Sequence, residues 1–168
     1  IADGVPEVIK AVRENFRSGA TQIKIMGSGS VTGAHDHLDV SEYTVEELRA
    51  IVKECERWGT YAQIHAYTDK GVRDAINAGV RSIEHGMLAS DKTMRLMKEK
   101  DVFLSTQFFA FSLTSEEAGL TGETAVKYNE VRAGAEAGYK RVKKYGLKMA
   151  WGTDTFGSLK AQEYQKDE

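Results

Sequence analysis

Segments that read as helix alternate with segments that read as strand along nearly the whole chain, and no two strand segments are joined by a hairpin turn. Antiparallel neighbours need only a two-residue connection, whereas parallel strands need a crossover of a dozen or more residues. The alternation therefore predicts βαβ units and a parallel sheet. Val8, Ile9, Val12 and Phe16 recur at helical spacing, with Pro6 near the helix start and Gly19 as its stop. A short strand, Gln22 to Met26, follows. Thr44 and Glu47 form a capping-box pattern ahead of Leu48, Ile51, Val52, Cys55 and Trp58 on one helix face, ended by Gly59. The next strand runs from Tyr61 to His65. Thr68 is a candidate cap for a helix with Val72, Ala75 and Ile76 inward and Gly79 as stop. A strand from Val80 to His85 is followed by Ser90 as cap of a helix carrying Met94, Leu96 and Met97, then by a strand from Val102 to Phe108. A long helix from about Glu123 to Tyr145 ends at Gly146, and Lys148 to Thr153 reads as the last strand.

Two parallel architectures compete. A doubly wound sheet carries a phosphate loop after a strand, and Gly27-Ser28-Gly29 with Gly33 resembles one superficially. The third glycine is one residue late, and Ala34-His35-Asp36-His37 does not open an apolar helix, so the dinucleotide reading is set aside. A (β/α)8 barrel places reactive side chains at the C-terminal ends of several strands. Four strands are read as ending in such a residue, Lys24, His65, His85 and Asp154, so the barrel is the expected fold. A barrel uses about 31 residues per unit, so 168 residues make about five units. The expectation is an α/β partial TIM barrel, strands 4 to 8 with their helices.

Composition excludes several classes. The formal charge is -2, from 23 Lys+Arg and 25 Asp+Glu, with the signs interspersed, so no basic nucleic-acid surface is expected. No apolar run approaches bilayer length. The single cysteine, Cys55, excludes an internal disulfide and a CxxC metal site, and reads as a small core residue.

Each reactive residue has two readings. Lys24 lies between Ile23 and Ile25, where an unpaired ammonium is costly to bury. It is either paired with a carboxylate at a barrel mouth or a lysine of lowered pKa open to carboxylation, whose carbamate can bridge two cations. His65 and His85 each read alone as hydrogen-bonded core histidines. On neighbouring strand ends they read together as metal ligands. Glu84, one residue before His85, is expected to point away from it and to lie outside the ligand set. Asp154 is either a turn residue or a ligand and proton acceptor. Tyr67 either packs or donates from its phenol to a substrate oxygen. His35 and His37 form an HxH in polar sequence and read as a loop near the active-site mouth. Phe108, Phe109 and Phe111 are core or the apolar wall of a pocket. The basic run Lys140 to Lys144 suits the C-terminal end of a helix dipole.

Gln22-Ile23-Lys24-Ile25-Met26, His65-Ala66-Tyr67-Thr68, Ser82-Ile83-Glu84-His85-Gly86 and Gly152-Thr153-Asp154 occur in this order. Together they resemble the strand-end motifs of the amidohydrolase superfamily, in its imidazolonepropionase-related, prolidase-like dipeptidase branch. The resemblance implies a carboxylated Lys24 bridging two divalent metals, usually zinc. It implies His65 and His85 on the second metal, Asp154 on the first metal as general base and acid, and Tyr67 as a substrate contact. The implied reaction is hydrolysis of an amide or peptide C–N bond by a metal-bridging hydroxide, in an Xaa-Pro or similar dipeptide. The family's first-strand HxH precedes the bridging lysine, and the 23 residues before Lys24 contain no histidine. His35 and His37 follow the lysine and do not take that role. The expectation is therefore a single partial barrel domain over residues 1–168. Its N-terminal strands and any flanking β-sandwich would be absent, the isolated chain inactive, and its two sheet edges prone to aggregation. Expected partners are a small-molecule or dipeptide substrate, with no nucleic acid and no membrane. The expected location is cytoplasmic, and homo-oligomerisation of the full-length protein stays open. A mononuclear deaminase or cyclic amidase, and a non-catalytic truncated barrel segment, remain as alternatives.

Overall fold

The computed structural model describes residues 1–33, 35–107, 111–152 and 154. Five helices and five strands alternate: α1 (Val5–Arg17), β1 (Ile23–Met26), α2 (Val45–Arg57), β2 (Ala62–Ala66), α3 (Asp69–Ala78), β3 (Ser82–His85), α4 (Asp91–Glu99), β4 (Phe103–Ser105), α5 (Gly122–Tyr145) and β5 (Met149–Ala150). The strands form one parallel sheet in the order β1-β2-β3-β4-β5, so every connection steps to the adjacent strand. This is the arrangement of consecutive units of a (β/α)8 barrel. β4 and β5 are shorter than the sequence suggests. Phe108 and Thr153, assigned above to strand ends, and Phe109, read as core or pocket wall, lie outside the described residues.

The two sheet faces differ in chemistry. Ile23, Ile25, Ala62, Ile64, Ala66, Ile83 and Leu104 are buried with Val8, Val12, Val52, Val72 and Met94 of the helices. Cys55 joins them with no exposed surface, and burial pushes its thiol up to about 11, which leaves it an unreactive packing group. The other face carries Lys24, Gln63, Ser82, Glu84 and Ser105, matched across the strands by register. Met26 and Phe103 on this face are exposed. A cavity of about 770 Å³ opens against the face, lined by Gln63, Ser82, Glu84, Phe103, Ser105 and Trp151 among others and by neither His65 nor His85. It is the inner space of the curved sheet, below the mouth.

Helix ends follow the sequence in part. Thr44 and Glu47 make the reciprocal capping box, and Gly79 and Gly146 close α3 and α5 in the left-handed conformation. Thr68 and Ser90 occupy N-cap positions without side-chain capping bonds. The Ser90 N–H instead donates to Asp69 Oδ1 at 2.6 Å, which ties the starts of α3 and α4 together. The basic end of α5 does more than complement a dipole. Arg141, Lys144 and the Tyr145 hydroxyl all donate to the Asp91 carboxylate at the start of α4.

These donors, led by Lys144, pull the Asp91 carboxyl down to about 2 from an ordinary 3.8. A depressed carboxyl stabilises the fold above its unfolded pKa, and that contribution is lost as pH falls through the folded one. Asp91→Asn is therefore expected to lower the thermal midpoint at pH 7, with the difference from wild type shrinking between pH 4 and pH 2. A deficit that persists unchanged at pH 2 would contradict the ion-pair account.

Candidate metal centre

His65 and His85 meet at the C-terminal ends of β2 and β3. Their ring centroids are 4.5 Å apart, and both side chains are buried. His65 reaches this point by ordinary strand alternation, in register with Met26 and Glu84. His85 does not. It pairs with Ala66, whose side chain faces the helices, so alternation alone would turn His85 the same way. Its backbone instead turns left-handed, with φ 77, and Gly86 follows at φ 63. Two consecutive left-handed residues end β3 and swing the imidazole to the mouth. A non-glycine residue held in this region costs about 1–3 kcal/mol, and such residues cluster at functional sites.

Asp154 is also left-handed, with φ 47, and its Oδ2 stands 3.9 Å from His85 Nε2. Lys24 is the second residue of β1 and not its end, because the strand runs on to Met26. It lies one step below His65 on the inner face, in register with Gln63. Its side chain is exposed, and no ion pair joins it to a described residue. Its positive charge lowers the pKa of both histidines. Glu84 points away from His85 as expected, but onto the inner face, where Ser82 donates to its Oε1 at 2.9 Å.

Burial is the main influence on both imidazoles. It holds His65 below its ordinary value and, with the charges of His65 and Lys24 adding, drives His85 down to about 3. Both rings are therefore neutral near pH 7, the form that binds metals. Tyr67 stacks on His85 at 4.8 Å with an interplanar angle of 23° and meets His65 edge-on at 5.0 Å. Burial and the Asp154 charge raise its phenol pKa, so it stays protonated. Beyond β4, Gln107 is buried near His85. Thr106 Oγ1 and Gln107 Oε1 are buried without a partner among the described residues.

The loop after β1 closes one side of the mouth. His65 Nε2 lies 3.3 Å from the Gly29 carbonyl oxygen, and Ser28 bridges to Ser41. His35 and His37 belong to this loop, both exposed, as the sequence suggests. Val31 and Leu38 pack from it onto Tyr67, Met87, Tyr128 and Val131, a second apolar cluster that Phe111 joins from its edge. Residue spacing alone assigns no role to Lys127, Asp36, Gly29 or Gln107. One signal was available: Lys127 falls in register with Val131 and Ala135 on the buried stripe of α5, an unusual place for a lysine.

Among the described residues no three His, Cys, Asp or Glu side chains come together as a complete metal site. What is present still fits a divalent cation. Two neutral imidazoles adjoin, a carboxylate stands beside one of them, a primary amine sits one step below, and buried polar atoms nearby lack partners.

A sequence model of the Amidohydrolase family matches residues 1–165. Ochratoxinase of Aspergillus niger is 36% identical over 157 residues, covering 92% of this chain and 33% of that protein. A solved amidohydrolase is 41% identical with a TM-score of 0.89, covering 99% of this chain and 40% of its own. A solved prolidase in complex with N-methylphosphonate-L-proline is 37% identical with a TM-score of 0.85, covering 94% of this chain and 39% of its own. The chain thus spans about a third of its curated relatives and about two fifths of the solved ones, as a partial segment of their barrel. Five parallel strands in sequential order, with paired histidines at the mouth and a family match along nearly the full length, lead to one conclusion: the chain belongs to the amidohydrolase family.

Proposed function

We propose that residues 1–168 form part of a barrel domain in a metal-dependent hydrolase that cleaves the amide or peptide C–N bond of a small substrate, an Xaa-Pro dipeptide or a close analogue. The observation that carries this is the His65–His85 pair, neutral and adjoining, with Asp154 beside it. Similarity to a prolidase crystallised with a phosphonate analogue of a proline dipeptide supports the substrate class. A Xaa-Pro dipeptidase solved with methionine in its active site, 28% identical with a TM-score of 0.82, points the same way.

His65 and His85 would hold one divalent cation, Asp154 the other, and Lys24, carboxylated on Nζ, would be shared between them, with zinc the expected metal. When bound, such cations supply Lewis acidity at the scissile carbonyl and at water. Asp154 takes a proton from the attacking water and returns it to the leaving amine. Tyr67, kept protonated by burial, offers a hydrogen bond to a substrate oxygen. Carboxylation of Lys24 needs its neutral amine, and the exposed position of the side chain leaves it open to carbon dioxide.

The test uses the complete protein, assayed on Xaa-Pro dipeptides with its zinc content measured in parallel. The expected result is turnover that is lost on chelation and restored by zinc, and a Lys24→Ala variant that loses metal and rate together. If Lys24→Ala keeps both, the two-metal reading gives way to a one-metal cyclic amidase or deaminase. Absence of any zinc-dependent hydrolysis would leave a non-catalytic barrel segment.

A further inference from the structure

We propose that Lys127 is a positioning residue for His65: it pins the β1–α2 loop so that the Gly29 carbonyl fixes the tautomer of the His65 ring. The inference rests on His65 being a ligand only for its consequence, not for its geometry.

The Lys127 side chain leaves α5 from its buried stripe and is 5% exposed. Its three donor hydrogens meet three loop oxygens. Nζ lies 2.5 Å from the Gly33 carbonyl, 3.0 Å from the Asp36 carbonyl and 3.4 Å from Asp36 Oδ1. Glu123 Oε1, one helical turn away, stands at 3.9 Å and balances part of the charge. A lysine this buried is held only when its charge and donors are matched, which is the case here.

The clamp continues through Asp36. Its Oδ2 accepts the Ser30 N–H at 2.8 Å, and Ser30 Oγ accepts the Gly33 N–H at 2.9 Å. Burial would raise the Asp36 carboxyl, yet these hydrogen bonds and Lys127 hold it below its usual range, so it stays an acceptor. Ser30 adjoins Gly29, and Gly29 lies so close to the His37 carbonyl that a side chain there would collide with it. The loop backbone is therefore fixed on both sides of the Gly29 carbonyl.

That carbonyl faces His65 Nε2 at 3.3 Å. A carbonyl can only accept, so Nε2 must carry the hydrogen of the neutral ring, and Nδ1 keeps the bare lone pair. Without the loop held in place, neither tautomer is imposed. An outer partner that fixes the tautomer of a metal-binding histidine is typically worth about 10–100-fold in metal affinity.

The experiment is 15N NMR of the histidine rings in the complete protein freed of metal, with His65 assigned by the loss of its signals in His65→Asn. The expected wild-type spectrum shows His65 as a single Nε2–H tautomer. Lys127→Met, which keeps the length and helix propensity of the side chain, is expected to give a tautomer mixture and about tenfold weaker zinc binding. Asp36→Ala, which breaks the clamp from the loop side, should do the same. Glu123→Gln should not. An Nδ1–H tautomer in the wild type overturns the proposal whatever the variants do. So does a single Nε2–H tautomer surviving in folded Lys127→Met and Asp36→Ala. If the tautomer behaves as expected and no zinc binds, it is the metal reading of the site that fails, not the positioning by Lys127.

Discussion

His65→Asn and His85→Asn are each expected to weaken zinc binding by about 100-fold or more, since losing a direct ligand exceeds the 10–100-fold typical of losing its outer partner. Asparagine is the suitable replacement at position 85, because it tolerates the left-handed backbone that histidine adopts there at φ 77. The measurement is zinc titration in competition with a chelator, with far-UV circular dichroism confirming that each variant is folded. His35→Asn and His37→Asn are the controls, since both side chains are exposed in the loop. Equal zinc affinity in all four variants would remove the histidine pair from the metal site. Loss confined to His35→Asn and His37→Asn would move the site to the HxH of the loop.

The second large effect is expected at Gly86. This residue has φ 63, and a Cβ built on it would lie 2.7 Å from Leu104 Cδ1. Gly86→Ala therefore combines a left-handed conformation on a side chain that disfavours it with overpacking against a fully buried leucine. The expected loss is about 2–4 kcal/mol in denaturant unfolding. Relief of this strain by backbone rotation would also turn His85 away from His65, so zinc affinity should fall in the folded population. Wild-type stability with reduced zinc binding would show that the backbone rotates freely. Reduced stability with intact zinc binding would show that Leu104 yields instead.

Most of the scaffold could be read from residue spacing, because each helix presents a separate apolar face. The stripe Leu48, Ile51, Val52 and Cys55 is one such face, and all four residues are buried in α2; Trp58, placed on the same face by its spacing, is instead the exposed C-cap residue. The parallel sheet followed from the absence of hairpin turns. The strand ends were harder. β4 spans only Phe103–Ser105, and the polar Thr106 and Gln107 that follow it are buried in an irregular segment. Period-two patterning carries no information about where the backbone stops pairing. Glu84 and His85 illustrate the same limit. Alternation correctly separates them, yet it assigns the faces the other way round, because side-chain order does not encode a positive φ. The following glycine was the one local sign. Capping was legible only as position: Thr68 and Ser90 stand at the N-caps of α3 and α4, yet neither side chain makes a capping bond. The bond between Lys127 and Gly33 joins residues 94 apart, beyond the reach of any local pattern.

That last contact bears on how such a barrel can be re-engineered. Barrel enzymes invite loop exchange, because each βα loop looks like an independent cassette on a common frame. The β1–α2 loop is not one. Its Ser30 and Asp36 turn only closes around an ammonium supplied by α5. Residues 27–43 grafted onto another scaffold would arrive without their anchor, and a foreign loop placed here would leave a buried lysine with no acceptors. The smallest transferable unit includes position 127.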